Sequence, residues 1–545
     1  MTEPKEPTTG PANRWDRRQL LTGALTVAAG VLVWIALTLP AEPGRLYPSS
    51  LLRIPVEALV LAGLLLVVPT RARTPVAIVG GLWVGLLAAW TAFDLGFHTF
   101  LARPFDPVHD WPLAWAGLGF LTDASGQAVA VAAVVGVVLL ALLVLVLTTL
   151  SMLRLAKVVA RHRRQASSVV AALGAVWLVA ALVGAQLVAD LPVAAHHGDK
   201  VQRVGESLRD HRAFAAELAV DEFRDVPDDE LLTALRGKDV LIAYVESYGR
   251  DAIENPRYEA TIGATLTSGE QRLTESGFEA QSGFLTAPII GGGSWLAHAT
   301  LRSGLWVDNP RRYQTVLDSD RMTLNHAFQR AGWRTVGVMP GIFDDWPEGE
   351  TFGYDEIYDR AALDYQGPRM NWGIIPDQYT VAAFERFERS ARDRAPVMAE
   401  MPLLTSHNPW TPVAPLIDWE EVGDGSIFHD RPAVGPPAEE VLRDPERLRT
   451  AFGHAVAYSL DTLISYVETY GDEDLVLVML GDHQPSPLVT GDGAGADVPV
   501  TIVTGDPALL DRIADWGWHD GIRPGPEAPV WGMDAFRDQF LTAFA

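Results

Sequence analysis

The chain is 545 residues long with a formal net charge of −25. It is too long for one compact domain and too acidic for duplex nucleic acid, whose binding needs basic stripes that displace counterions. It contains no cysteine, which excludes disulfides, thiolate nucleophiles and cysteine-ligated zinc but does not fix the compartment. Most of the acid lies beyond residue 200, while the first 165 residues carry basic clusters between long apolar runs.

Five runs read as membrane helices, at about 19–40, 52–69, 75–95, 128–150 and 168–190. A hydrocarbon core about 30 Å thick requires roughly 20 apolar residues at 1.5 Å each. The fourth run, Ala128 to Leu150, is almost wholly Ala, Val and Leu, where a soluble amphipathic helix would show a polar stripe. The second is short and contains Glu57. Arg and Lys placement sets the orientation. The tail holds Lys5, Arg14, Arg17 and Arg18, the turn after the second run Arg71 and Arg73, and the turn after the fourth Arg154, Lys157, Arg161, Arg163 and Arg164. The alternate connections offer only Arg45, Arg53 and Arg103. The N-terminus is therefore expected in the cytoplasm and everything beyond residue 190 outside it. The first run reads as an anchor, because Leu39-Pro40-Ala41-Glu42 is a poor cleavage site for a leader. In the loop 96–127, His98, Asp106, His109 and Asp110 read as solvated polarity rather than a metal site. Residues 197–235 show helical periodicity through Val201, Val204, Leu208, Phe214 and Leu218, a juxtamembrane connector. The expected domains are a tail (1–18), a five-helix transmembrane domain (19–190), a connector (191–236) and an extracytoplasmic domain (237–545).

From residue 239 short apolar runs alternate with longer mixed ones. Asp239–Val245, Thr335–Met339, Val397–Met401, Leu475–Leu480 and Val498–Val503 read as strands, and 322–331, 377–393 and 446–470 as helices. This alternation predicts a largely parallel sheet covered by helices on both faces, with a site at the C-terminal strand ends. The polar residues at those ends are Glu246 after the first strand, His407 beyond the third, and Asp482-His483 after the fourth. Ser294 follows Gly291-Gly292-Gly293 and opens a helix-like run, Trp295 to Leu305. Carboxylates and an imidazole delivered to one sheet edge suit a hard or borderline divalent cation. A serine at a helix N-terminus sits where backbone N–H groups favour anions, and beside a metal its hydroxyl can attack phosphorus. Each residue also has a plain reading: a surface carboxylate, a turn, a helix cap, and for His298 local packing. Their order along the chain sets them apart.

These motifs resemble those of the lipoteichoic-acid-synthase branch of the sulfatase/alkaline-phosphatase superfamily. Val245-Glu246-Ser247 is similar to that branch's first metal-ligand motif. Gly293-Ser294, with Ser303-Gly304-Leu305 beyond it, is similar to its nucleophile segment, where Thr is usual. Thr405-Ser406-His407-Asn408-Pro409 resembles its substrate-phosphate motif, and Gly481-Asp482-His483 its closing ligands. The resemblance implies a five-helix membrane domain followed by an α/β/α alkaline-phosphatase-like domain. It implies one divalent ion held by Glu246, Asp482, His483 and Ser294, manganese first and magnesium or zinc as alternatives. Ser294 would be the nucleophile, while His407 and Trp346 would contact substrate. The implied reaction moves a phospho-head group from a membrane lipid to an envelope lipid or glycan. The alternative is a phosphodiesterase or phosphatase of the same fold. Two departures stand out. In Trp346-Pro347-Glu348 an acid occupies the place of the family's Arg, so a neutral or cationic head group is expected over phosphoglycerol. Ser294-Trp295-Leu296-Ala297-His298 lacks the spacing from which sulfatases make formylglycine, which argues against sulfate esters.

Overall fold

The computed structural model describes residues 17–183, 192–343, 346–370, 375–391 and 393–545. Nearly all of the expected tail (1–18), the end of the fifth expected membrane run and residue 191 lie outside these. The chain divides into two compact units, Met1–Gly96 with Leu118–Gly205, and Phe97–Gly117 with Glu206–Ala545.

Among the described residues up to 218 the α-helices are α1 (Arg17–Thr38), α2 (Val56–Val67), α3 (Thr70–Leu101), α4 (Trp111–Ser125), α5 (Gln127–Arg161), α6 (Arg163–Val183) and α7 (Pro192–Leu218). Among the described residues, five stretches are long and apolar enough to cross a bilayer: Arg18–Thr38, Pro48–Val67, Thr70–Leu101, Gln127–Arg161 and Arg163–Val183. On α5 Val137, Leu139, Leu140 and Leu143 are all exposed, as side chains facing lipid would be. Inside the first unit Val33, Leu37, Leu65, Ala77, Val84, Met152 and Ala156 form a core. Helices α3 and α5 approach closely where α3 carries glycine: a Cβ on Gly81 would lie 2.5 Å from the Thr149 Cα. Small residues permit such contact between membrane helices. One buried ion pair joins Lys200 Nζ to Asp94 Oδ2 at 2.8 Å. The segment 96–127, expected as a loop, is helical over α4, and α3 and α5 run well beyond their apolar windows. Hydrogen bonding propagates a helix past the residues that favour lipid.

Among its described residues the second unit is built on nine strands: β1 (Asp239–Val245), β2 (Glu279–Thr286), β3 (Arg334–Met339), β4 (Glu356–Asp359), β5 (Val397–Leu403), β6 (Leu475–Gly481), β7 (Asp497–Thr504), β8 (His519–Asp520) and β9 (Val530–Gly532). They form one sheet of order β4-β3-β5-β1-β6-β7-β2-β8, with β9 beside β2. Strands β4, β3, β5, β1 and β6 are parallel, β7 is antiparallel to β6, and β2 is antiparallel to β7. Two reversals restore the original direction, so β2 points its C-terminal end to the same edge as β1, β5 and β6.

Alternation along β1 sorts side chains between two faces. Leu241, Ala243 and Val245 enter one core with Ile464 and Tyr379. Val240, Ile242 and Tyr244 enter another with Leu296, Leu324 and Phe540. The first core lies under α8 (Ala264–Glu275), α12 (Asp377–Phe384) and α13 (Pro445–Tyr470). The second lies under α9 (Ser294–Ser303), α10 (Pro310–Leu317), α11 (Leu324–Arg330) and α14 (Phe536–Ala543). This is the three-layer α/β/α arrangement, with a mostly parallel sheet.

Candidate active site

Strand β1 ends at Val245, and the next residue, Glu246, is buried at the sheet edge. Strand β6, hydrogen-bonded to β1 in register Val245–Gly481, is followed by Asp482 and His483, also buried. One ligand atom from each of Glu246, Asp482 and His483 lies within 4.8 Å of the others. Backbone groups fix two of the three, and the Ser247 hydroxyl donates to Glu246 Oε1 at 3.1 Å. Ser247 N–H and His483 N–H both donate to Asp482 Oδ1, each at 2.8 Å. His483 Nδ1 lies 2.8 Å from the Gln484 carbonyl oxygen, so Nδ1 carries the hydrogen and Nε2 is turned toward the carboxylates. His483 Nε2 is 3.2 Å from Glu246 Oε1 and 3.6 Å from Asp482 Oδ2.

Ser294 arrives from β2. After that strand the chain turns through Gly291, Gly292 and Gly293 with φ of 79°, 153° and 90°, a left-handed path that only glycine follows without strain. Helix α9 then begins at Ser294. The Ser294 hydroxyl donates to Glu246 Oε2 at 2.9 Å and lies 3.3 Å from His483 Nε2.

The charges interact strongly. Burial works to raise the Glu246 pKa, but the charge and hydrogen bond of His483 outweigh it and hold the carboxyl well below its usual range. Burial and the neighbouring Glu246 charge push Asp482 up to about 7. Burial opposes a charge on His483, yet Asp482 and Glu246 raise it to about 9. Asp482 Oδ2 is buried and accepts no hydrogen bond from the described residues, which would be costly without a cation. This orphaned oxygen, the Glu246 carboxylate, the Nε2 of His483 and the Ser294 hydroxyl make a mixed O,N donor set that fits one divalent ion. The hydrogen bond at Nδ1 orients the ring for that task.

His407 follows β5 through Leu404, Thr405 and Ser406. It is within electrostatic reach of Glu246, and its Nδ1 lies 2.8 Å from the Asn408 carbonyl oxygen. Buried Asp377 braces this turn: Thr405 N–H donates to Asp377 Oδ1 at 2.9 Å, and Ser459 Oγ donates to Oδ2 at 2.5 Å. Trp346 lies in an aromatic group. Its ring centroid is 6.1 Å from Phe352, 6.0 Å from Tyr354 and 6.0 Å from the Arg302 guanidinium. Glu348 acts electrostatically on Tyr313, whose ring meets Trp295 edge-on at 4.5 Å, one residue from Ser294. His298 packs, its ring 3.9 Å from Tyr244. Burial, then the Arg302 charge, depress it to about 3, so it is neutral.

Three supports have no signature in the sequence: the Ser247 N–H, the Gln484 carbonyl and Asp377. Two are backbone groups, identical in every residue type. Asp377 lay inside a predicted helix, and only its place in that helix's first turn hinted at another role.

No family model matches the chain, and no curated protein does. Solved structures do. The lipoteichoic acid synthase LtaP from Listeria monocytogenes is 16% identical over 57% of this chain and 72% of that one, with a TM-score of 0.36. The C-terminal periplasmic domain of EptC from Escherichia coli is 16% identical over 49% of this chain and 73% of its own, with a TM-score of 0.34. The phosphoglycerol transferase GacH from Streptococcus pyogenes, in complex with sn-glycerol-1-phosphate, is 9% identical over 62% of this chain and 90% of its own, with a TM-score of 0.35. Likenesses of this size say nothing of substrate or mechanism, which rest on the chain's own residues.

Proposed function

We propose that this chain is a membrane-anchored, metal-dependent phosphotransferase that passes a phospho-head group from a lipid donor to an envelope lipid or glycan through a covalent intermediate on Ser294. The observation that carries the reading is the 2.9 Å contact of the Ser294 hydroxyl with Glu246 Oε2, with His483 Nε2 at 3.3 Å, at a helix N-terminus.

Glu246, Asp482, His483 and Ser294 would hold the ion, which supplies Lewis acidity toward a phosphoryl oxygen and favours the deprotonated serine. Ser294 Oγ, oriented by Glu246 Oε2 and having lost its proton to solvent as the ion binds, attacks phosphorus. The Oγ–P bond forms, the bond from phosphorus to the donor's alcohol oxygen breaks, and that alcohol leaves with a proton. The first N–H groups of α9 favour the negative charge that gathers on the phosphoryl oxygens. His407 would contact the phosphate or protonate the leaving group. An acceptor hydroxyl then attacks the same phosphorus, passing its proton to His407 in place of the one taken by the donor's alcohol, and the Oγ–P bond breaks to free Ser294. Glu348, within electrostatic reach of Tyr313, would disfavour a second anionic group on the donor. The membrane runs support a lipid donor, and the asymmetry of Arg and Lys supports an extracytoplasmic catalytic unit.

The test is to reconstitute the full chain in vesicles with manganese and glycerophospholipids labelled in the head group. The reading expects label on a lipid or glycan hydroxyl and free diacylglycerol. Label released only as a water-soluble phosphate ester would make the enzyme a hydrolase, and no release from any donor would end the reading.

A further inference from the structure

The nucleophile turn is three consecutive glycines, the residues that lose the most freedom on ordering, and it has no side chain to fix it. Its position nevertheless matters, because a displacement of about 1 Å at a reacting group can cost about 100-fold in rate. Two segments far from it in sequence hold its flanks.

One is the stretch from Phe97 to Asp110, part of the same compact unit. A Cβ on Gly291 would lie 1.8 Å from the Phe100 carbonyl oxygen and 3.2 Å from the Ser486 Cα. One on Gly292 would lie 3.7 Å from Leu101 Cδ2. On its other side the Gly291 N–H donates to the Gln484 carbonyl oxygen at 2.8 Å. The segment is itself braced. Arg103 binds both oxygens of fully buried Asp110, at 2.8 and 2.6 Å. Asp106 N–H donates to Asp110 Oδ2 at 2.7 Å, and His109 Nδ1 lies 3.0 Å from Asp106 Oδ2. Burial opposes ionisation of Asp106, but hydrogen bonds from His109 and Ser207 bring it down to about 2.

The other is the connector. Ser207 Oγ donates to Asp106 Oδ2 at 2.6 Å, and Asp210 receives two bonds from Arg312, at 2.9 and 2.5 Å. The Arg312 guanidinium lies 4.8 Å from the ring centroid of Phe214, which is buried in the core of the unit. The next residue, Tyr313, meets Trp295 edge-on, the immediate neighbour of Ser294.

We propose that Phe97–Asp110 and the connector from Glu206 to Leu218 are positioning elements of the active site, which clamp the Gly291–Ser294 turn from two sides and make the catalytic unit incomplete without chain that precedes residue 191. The proposal rests on Ser294 as the nucleophile. Its test uses the full chain with manganese and compares wild type with Asp106→Ala and Asp210→Ala, singly and together. Both side chains are partly exposed, so the variants should fold. Hydrogen exchange in a peptide spanning 288–297 should rise on the order of tenfold, while exchange in β6 and manganese affinity stay at wild-type values. Turnover of bis(4-nitrophenyl) phosphate should fall in kcat on the order of tenfold with KM unchanged, as expected for a misplaced nucleophile. Unchanged exchange in the turn would overturn the clamp, as would a rise shared equally by β6, which marks general destabilisation. Wild-type turnover in Ser294→Ala would instead remove the assignment of the nucleophile and leave the exchange result standing.

Discussion

At the scale of single residues, the cluster is a charge problem with one economical solution. Two carboxylates and an imidazole are buried together, and one carboxylate oxygen accepts no hydrogen bond from the described residues. Calorimetric titration with manganese should therefore find Glu246→Gln, Asp482→Asn and His483→Ala each weakened by at least about 100-fold, since changing groups that only orient ligands already costs 10–100-fold. The same titration has a pH signature. In the ion-free protein His483 is raised to about 9 and Asp482 to about 7, so near neutral pH a proton occupies the position a metal needs. Affinity should rise with pH from about 7 to about 9, and binding should release protons. Affinity independent of pH, or three variants that bind like wild type, would mean the ion is held elsewhere. The convergence of Glu246, Ser294, Asp482 and His483 was readable in the sequence because each follows an apolar strand or a glycine turn. The burial of Asp110 was not, since a polar residue in a short connection reads as solvated, and only the folded chain shows Arg103 beside it.

At the scale of elements, strands β2, β4, β8 and β9 were hidden from sequence, and β2 is the one that matters to the site. Glu279-Ala-Gln-Ser-Gly-Phe-Leu-Thr begins polar and carries Gly283 at its centre, where the Trp518 ring packs, so neither alternation nor an apolar run marks it. Yet β2 delivers Ser294, and it does so because β7 reverses direction between β6 and β2. The five predicted strands needed no such help, being mostly apolar and buried on both faces. Helix α9 is pinned to the sheet by a buried ion pair, Arg302 Nε to Glu400 Oε1 of β5 at 3.1 Å, with the Tyr354 hydroxyl donating to Glu400 Oε2 at 2.6 Å. Removing one partner strands the other charge in the core, which costs about 3–5 kcal/mol, whereas replacing both by apolar groups is often neutral. Arg302→Met should therefore lower thermal stability sharply, and Arg302→Met with Glu400→Leu should recover most of it. A single variant as stable as wild type would show that the pair does not hold the helix.

At the scale of the whole molecule, apolar helices long enough to cross a bilayer precede the unit that carries the proposed site. The apolar runs were plain in the sequence because hydrocarbon demands length and composition together. Sidedness rests on Arg and Lys alone. A reporter that is active only after export, fused after residue 200 in a bacterial host, should be active, and one that is active only in the cytoplasm should be silent there. The opposite pattern would place the catalytic unit inside and remove the envelope acceptor from the proposal.

The central claim is that phosphorus passes through Ser294, and it can be observed directly. The full chain, incubated with manganese and a phospholipid donor and quenched in acid, is digested and examined by mass spectrometry for the peptide that carries Ser294. The account predicts a phosphate or phospho-head-group adduct on that residue, formed before product and absent from Ser294→Ala, which should also lose turnover. Turnover at the wild-type rate in Ser294→Ala, with no adduct on wild type, would contradict it and leave direct attack by a metal-activated water or acceptor as the surviving chemistry.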